Sequence, residues 1–347
     1  MLDSTDLIRE LTAVLGPAGN EEAVSAAVSA YAESLGYACH LDAKGNLLIP
    51  LPTGGEPLTA PRIVVTAHLD ELGLMVSQIE PDGSVRVIPM GGLYPWKWGE
   101  QPVEIMAQPE PVPGVVSFGC IHTNSPLSVA QHARNEPLTW EQAYIFTGLL
   151  PEELQERGVR PGVRVALARD RRTVREIGPY LCGYFLDDRA DLAAMLLALE
   201  KLRGAVFPQG VLFAATVSEE VGGEGALYLL QRYRPDICLA LEIGPSVPES
   251  RFFPDAQPTI WVNDSFAAMS ARDVEEMHRL CAKLQLTPHW QALSRGGSDA
   301  SCAAARGLTA RPITLGLPVE NSHGYEIMHR DAPRVLAHLL AAYLQQM

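Results

Sequence analysis

Two adjacent acids, Glu219 and Glu220, follow an unbroken apolar run, Leu212–Ala215, and precede Gly222-Gly223. A strand buried on both faces reads this way. Acids at the carboxyl end of such a strand lie where open α/β sheets place their ligands. Other groups share that context. The run Arg62–Ala67 leads into His68 and Asp70, Tyr184–Leu186 into Asp187 and Asp188, and Ile237–Leu241 into Glu242, while His323 comes after Arg311–Leu315. Each alone fits a polar turn or a half-buried histidine. If the strands share a sheet, their carboxyl ends converge and gather His, Asp and Glu in one place. Nitrogen and carboxylate donors without thiolate suit Zn²⁺, Co²⁺ or Mn²⁺. His68 and Asp70 alternate, so a persisting strand points both to one face, where the carboxylate can hold the second ring nitrogen.

Such a donor set suits metal-assisted hydrolysis. A carboxylate that bridges two metals holds them close enough to share one hydroxide, which attacks a polarised carbonyl. One more acid, off the metals, must take a proton and pass it to the leaving amine. Adjacent glutamates can divide these jobs, because neighbouring side chains diverge.

The elements that must position these groups alternate apolar runs with helical patterns. Helical spacing is seen at Leu7, Ile8, Leu11, Val14 and Leu15, with Asp3, Ser4 and Thr5 as caps. It recurs over Glu21–Gly36, from Leu192 to Leu202, and over Ala226–Tyr233, Ala271–Leu286, Ala300–Arg306 and Pro333–Gln346. Between Leu74 and Arg172 the pattern changes to short alternating runs, dense proline and the hairpin signal Pro81-Asp82-Gly83. This predicts an α/β fold, a mixed sheet flanked by helices, built from residues 1–71 and 175–347, with a β-rich module inserted at 72–174.

With 347 residues and 47% hydrophobic content, a large core can be buried. A net charge of −14 disfavours nucleic acid and anionic membrane as partners. No run of about 18 apolar residues predicts a membrane span. The six cysteines are scattered, with no C-x-x-C pair, and the N-terminus shows no export signal. Reduced cysteines in a cytoplasmic protein are therefore expected. No G-x-S-x-G pattern supports a serine hydrolase.

The segments AHLDELG (67–73), LDDRAD (186–191), SEEVGGEGA (218–226) and NSH (321–323) resemble the motifs of the tetrahedral, glutamyl (deblocking) aminopeptidase family of dinuclear metallo-exopeptidases. Phe146-Thr147-Gly148 with PEELQERGVRPGVRV (151–165), and Gly296-Gly297-Ser298-Asp299-Ala300, extend the resemblance over nearly the whole chain. The resemblance implies a zinc-exopeptidase-like three-layer sandwich with an inserted small β-barrel that supports oligomerisation. It implies that Asp187 bridges two divalent ions, zinc first, with cobalt or manganese as alternatives. His68 and Glu242 would complete one site, Glu220 and His323 the other. Glu219 would be general base and then general acid, Asp70 would orient His68, and the Asp187–Asp188 peptide bond would be cis. His122, Gly297, Ser298 and Asp299 would contribute to substrate binding. Short peptides are the implied substrates, and a homo-oligomer, often a dodecamer built from dimers, the implied assembly. Three positions depart from the family pattern: Glu242 stands where Asp is common, Asn321 where an aromatic or Met is common, and Ser298 replaces Thr.

An N-acyl amino-acid or other small-amide hydrolase would use the same constellation. A glycosidase fits less well, because adjacent glutamates do not face each other across a sugar, and a non-catalytic metal-binding protein has no use for Glu219. Trp96-Lys97-Trp98 fits packing or an interface better than a substrate wall. The charge run Arg169–Arg172 reads as a solvated face. His278, His289, His329 and His338 read as surface or helix residues.

Overall fold

A computed structural model describes residues 3–55 and 58–347; the Pro/Gly-rich stretch Pro50–Pro61 reads from its sequence as a loop, and its residues 56–57 lie outside the described residues. Among the described residues eleven strands form one mixed sheet. Its centre is four parallel strands, in the order Val211–Thr216, Ile63–His68, Ile237–Pro245 and Arg311–Glu320. They are buried almost throughout, as apolar runs without alternation require. Tyr325–His329 runs antiparallel to the last of these, and Tyr180–Tyr184 antiparallel to Tyr325–His329. Tyr180–Tyr184 therefore points the same way as the central four. Five carboxyl ends share one edge of the sheet.

Period-2 alternation divides the strand residues between two cores. Ile63, Val65, Phe213 and Ala215 join a core with helices Ser4–Ala13, Glu22–Ser34, Leu186–Lys201 and Ala332–Gln346. Val64, Leu212 and Ala214 join a smaller core on the other face, with helices Glu224–Tyr233 and Asp299–Ala304. Asp3, as expected, caps the first helix, accepting from the backbone N–H groups of Thr5 and Asp6.

Six strands between Gly73 and Leu167 close into a barrel. Its apolar interior includes Leu74, Val85, Ile105, Val116, Ile145 and Val165, and extends to Tyr184 and Phe185 of the main sheet. The barrel thus sits against the edge where the carboxyl ends gather. Trp98, on the short helix Pro95–Trp98, packs edge-on against Trp140 and Phe185 with ring centroids 6.2 and 6.4 Å away.

The barrel's two junctions are tied together by charge. Glu71 and Arg172 flank it, and the Arg172 guanidinium donates to Glu71 at 2.7 and 2.5 Å. Arg189 adds a third bond to Glu71 at 2.7 Å, and all three side chains are fully buried. Both arginines also donate to backbone carbonyls, Arg172 to Thr12 and Val14, Arg189 to Leu11 and Leu69. The expectation of a solvated face over 169–172 is therefore corrected at its last member. Arg169–Arg171 are exposed on a 3-10 turn, whereas Arg172 points inward to a buried carboxylate.

Four strands had no counterpart in the sequence: Tyr144–Phe146, Arg175–Ile177, His289–Ala292 and Tyr325–His329. Each is three to five residues long, too short for its alternation to stand out. Two strands run longer than their apolar cores. Ile237–Pro245 carries Glu242 inside the strand, and Arg311–Glu320 continues past Leu315. His289 and His329, read as surface residues, lie half-buried on two of these strands.

Candidate metal centre and cavity

Asp187 stands in the middle of the gathered strand ends. One of its oxygens, Oδ1, lies 3.1 Å from His68 Nε2, and the other, Oδ2, lies 3.6 Å from His323 Nε2. Glu220 Oε1 is 3.8 Å from that same His323 nitrogen. Two donor groups result, each with ligand-capable atoms within 4.8 Å of one another: His68, Asp187, Asp188 and Glu242, and Asp187, Glu220 and His323. Asp187 belongs to both. The expected five ligand candidates are thus brought together, and Asp188 joins them. Asp188 Oδ2 accepts from the His68 backbone N–H at 2.6 Å, and its Oδ1 is buried without a partner.

The chain reaches this geometry by bending. Asp187 and Asp188 carry non-helical backbone angles at the start of Leu186–Lys201, and the peptide bond between them is cis. Ser218, Asn321 and His323 are non-glycine residues with positive φ, at 55°, 65° and 63°. Such angles are uncommon and need support from their surroundings. Glu21 accepts from the backbone N–H and hydroxyl of Ser218. Glu326 accepts from the backbone N–H groups of Asp187 (3.1 Å) and His323 (2.9 Å), joining two ligand candidates through one buried carboxylate. Neither was found by sequence reading. Glu21 looked like an ordinary first-turn acid, and Glu326 lay on an unrecognised strand.

Asp70 does more than expected. The nearest acceptor to His68 Nδ1 is the Asp70 backbone carbonyl, at 3.0 Å, with the carboxylate 3.5 Å away. The carboxylate also accepts from the backbone N–H groups of Glu219 (2.8 Å) and Glu220 (3.1 Å). It fixes the turn that presents both glutamates.

Asp187, Glu219, Glu220 and Glu242 line a cavity of about 720 Å³, together with Ile243, Val247, Trp261, Phe266 and Leu293. Among the described residues Arg295, on an exposed loop, is the one Lys or Arg in its wall. Of the expected substrate contacts, Gly297 lines the cavity. Ser298 and Asp299 lie behind it. The Ser298 hydroxyl bonds Thr314 (2.7 Å) and caps the helix Asp299–Ala304, while Asp299 accepts from Thr216 (2.7 Å). Their small and polar side chains build the loop rather than the wall. His122 is exposed on a barrel loop and is not part of this chain's cavity wall.

Burial without enough positive charge dominates the electrostatics. It pushes Glu220 up to about 7 and Glu219 and Glu242 well above the ordinary carboxylate range. Asp187 is the exception: burial is the largest single influence and pushes it up, but the bond and charge of His68 together with the charges of His323 and Arg189 hold it low. Burial would depress His323, yet Glu220 and Asp187 raise it to about 9. Protons here stand in for missing positive charge. The donor set fits a pair of divalent cations: two imidazoles, several carboxylates, one carboxylate facing both ways and an orphaned buried oxygen.

Residues 45–339 match the family described as M42 glutamyl aminopeptidase. The glutamyl aminopeptidase of Lactococcus lactis subsp. cremoris is 28% identical over 243 residues, 70% of this chain. The match spans 66% of that protein's length, just under two thirds. An aminopeptidase from the archaeon Desulfurococcus kamchatkensis has a similar structure, with a TM-score of 0.86, 25% identity and coverage of 99% of this chain and 95% of that one. The Pyrococcus horikoshii TET1 peptidase, which can assemble into a tetrahedron or a large octahedral shell, shares the fold with a TM-score of 0.84, 24% identity and 99% coverage of each chain.

Proposed function

This chain belongs to the M42 glutamyl aminopeptidase family, and from that premise we propose that it is a metal-dependent aminopeptidase that removes N-terminal residues from short peptides. The observation that carries the reading is Asp187, whose two oxygens face His68 and His323 separately. His68 and Glu242 would hold one ion with Asp187, and Glu220 and His323 the other. Two divalent cations, zinc first, would supply Lewis acidity and lower the pKa of a bound water.

The protein's own groups do the rest. Glu219 takes the proton from the attacking water and delivers it to the leaving amine, a role that burial favours by raising its proton affinity. Asp70 holds the Glu219-Glu220 turn through two backbone bonds. The acidic cavity attracts a free amino terminus, and its apolar wall excludes water from the reacting end. The barrel would serve assembly: Val115 and Phe146, cross-strand partners, are both exposed on it. A native mass at a multiple of 37.6 kDa is expected, and a monomer in dilute solution would remove the assembly role.

The test is metal content with activity. About two ions per chain and chelator-reversible release of N-terminal residues are expected, with Asp187→Asn losing both ions together. Two ions with hydrolysis of acylated amino acids alone would move the reading to a small-amide hydrolase. Retention of two tight ions in Asp187→Asn would end the bridging role.

A further inference from the structure

The sequence singled out Trp96-Lys97-Trp98, and only Trp98 is accounted for by packing. Lys97 crosses from the barrel to the main domain. Its Nζ donates to the backbone carbonyl of Ser322 at 2.8 Å and lies 3.4 Å from that of Asn321. Its stem lies over Gly324, where a Cβ would come within 2.9 Å of the Lys97 Cδ. The loop it holds is the one with positive φ at Asn321 and His323. From the same barrel segment, the Gly92 carbonyl accepts from His323 Nδ1 at 3.1 Å. That bond leaves Nε2 to face Asp187 and Glu220. The segment is itself anchored, because the Trp140 indole N–H donates to the Leu93 carbonyl at 2.7 Å.

We propose that the barrel segment 91–98 is part of the metal centre, with Lys97 as a positioning residue that fixes the His323 loop and Gly92 as the acceptor that aims its ring. The inference rests on the dinuclear reading above. An ammonium donating to two consecutive carbonyls locks a turn of sparsely populated backbone angles. The barrel then holds the ring at Nδ1 through Gly92 and the loop backbone through Lys97, although the rest of the site comes from the main sheet. Partners beyond the ligands commonly set metal affinity in this way, with losses of about 10–100-fold on removal. The geometry also gives Asn321 a context. A large apolar side chain there has no role in holding the loop, whereas the Asn321 side chain donates to the Tyr325 carbonyl at 3.3 Å and closes the same turn.

The experiment is graded chelator competition against zinc, run on the full chain with wild type, Lys97→Met, Lys97→Arg and Gly92→Ala. Lys97→Met should release one of the two ions about 10–100-fold more readily, leaving the other near wild type. Lys97→Arg, which can still donate to both carbonyls, should recover most of the loss. Gly92→Ala should weaken the same ion, since its Cβ would sit 3.0 Å from His323 Cε1 and Nδ1. Wild-type affinities for both ions in Lys97→Met and Gly92→Ala would overturn the proposal. So would tighter binding in Lys97→Met, the result expected if the ammonium only repels the cations. A lowered melting temperature of the chelated protein with no split between the ions would reduce Lys97 to a structural contact, which also overturns it. Failure of the wild type to bind zinc at all would instead sink the dinuclear reading.

Discussion

Two buried charge clusters lie side by side in this protein, built from the same two stretches of chain. His68 and Asp187 face the candidate metal centre; Glu71 and Arg189 face the barrel junction. The junction cluster is complete. Glu71 receives three bonds from two guanidiniums, and the spare donors reach backbone carbonyls. The other cluster is not. Among the described residues, Asp187, Asp188, Glu219, Glu220 and Glu242 converge with no Lys or Arg hydrogen-bonded to any of them, and Asp188 Oδ1 and both oxygens of Asp191 are buried without hydrogen-bond partners. Charge that is satisfied by the chain itself builds structure. Charge that is left unsatisfied is a site for something the chain does not supply.

The comparison makes opposite demands on two glutamates. Glu219→Gln should keep two metals and an unchanged fold while kcat falls by about 10²–10⁴-fold, the usual worth of a positioned proton carrier. Turnover within a fewfold of wild type would take Glu219 out of the chemistry. Glu71→Ala should do the reverse. Stripping the shared acid from two buried guanidiniums costs about 3–5 kcal/mol, read as a lower midpoint in denaturant, while the folded fraction still binds two ions. A variant that unfolds normally but loses metal would mean that the two clusters are one.

How much of this was legible in the sequence follows the same division. The metal cluster could be read because its residues sit at the ends of long apolar strands, where position alone implies convergence. His68, Asp187, Glu220, Glu242 and His323 were all named from that pattern and its resemblance to a family. The junction cluster could not. Arg172 closes a run of exposed charges, and nothing in ARDRR distinguishes the one side chain that turns inward to meet an acid 101 residues away. The tie from Glu326 to Asp187 and that from Lys97 to Ser322 were opaque for a related reason: each reaches a backbone group far along the chain, from a strand or helix of only five or four residues. Asp70 was named for its carboxylate beside His68, which lies 3.5 Å from the ring; the bonds from that carboxylate to the Glu219-Glu220 turn had no signal in the sequence. Alternation along the strand predicts which face a side chain takes, not which of its own oxygens meets the partner.

The smallest effect concerns the sign of a charge change. Burial pushes Asp299 up to about 6, Glu220 to about 7 and Asp191 and Glu326 to about 8. The folded chain therefore holds protons that the unfolded chain, with carboxyls near 4, has released. Stability then falls as pH rises from about 4 to 8. His323, raised to about 9, works in the same direction, because the stability it gives is full below its unfolded value and lost as pH climbs through 9. A bound cation replaces those protons, so metal affinity rises over the same range. The gap in melting temperature between loaded and chelated protein should widen from pH 5 to pH 8. In the chelated protein Glu220→Gln should be more stable than wild type by about 1–3 kcal/mol at pH 8, and about equal to it at pH 5. A neutralised acid in the junction cluster gains nothing at either pH, since its charge was already matched. If Glu220→Gln destabilises the chelated protein at pH 8 as Glu71→Ala does, then the pairing of Glu220 with His323 outweighs the cost of its burial, and the unsatisfied cluster is no different in kind from the satisfied one.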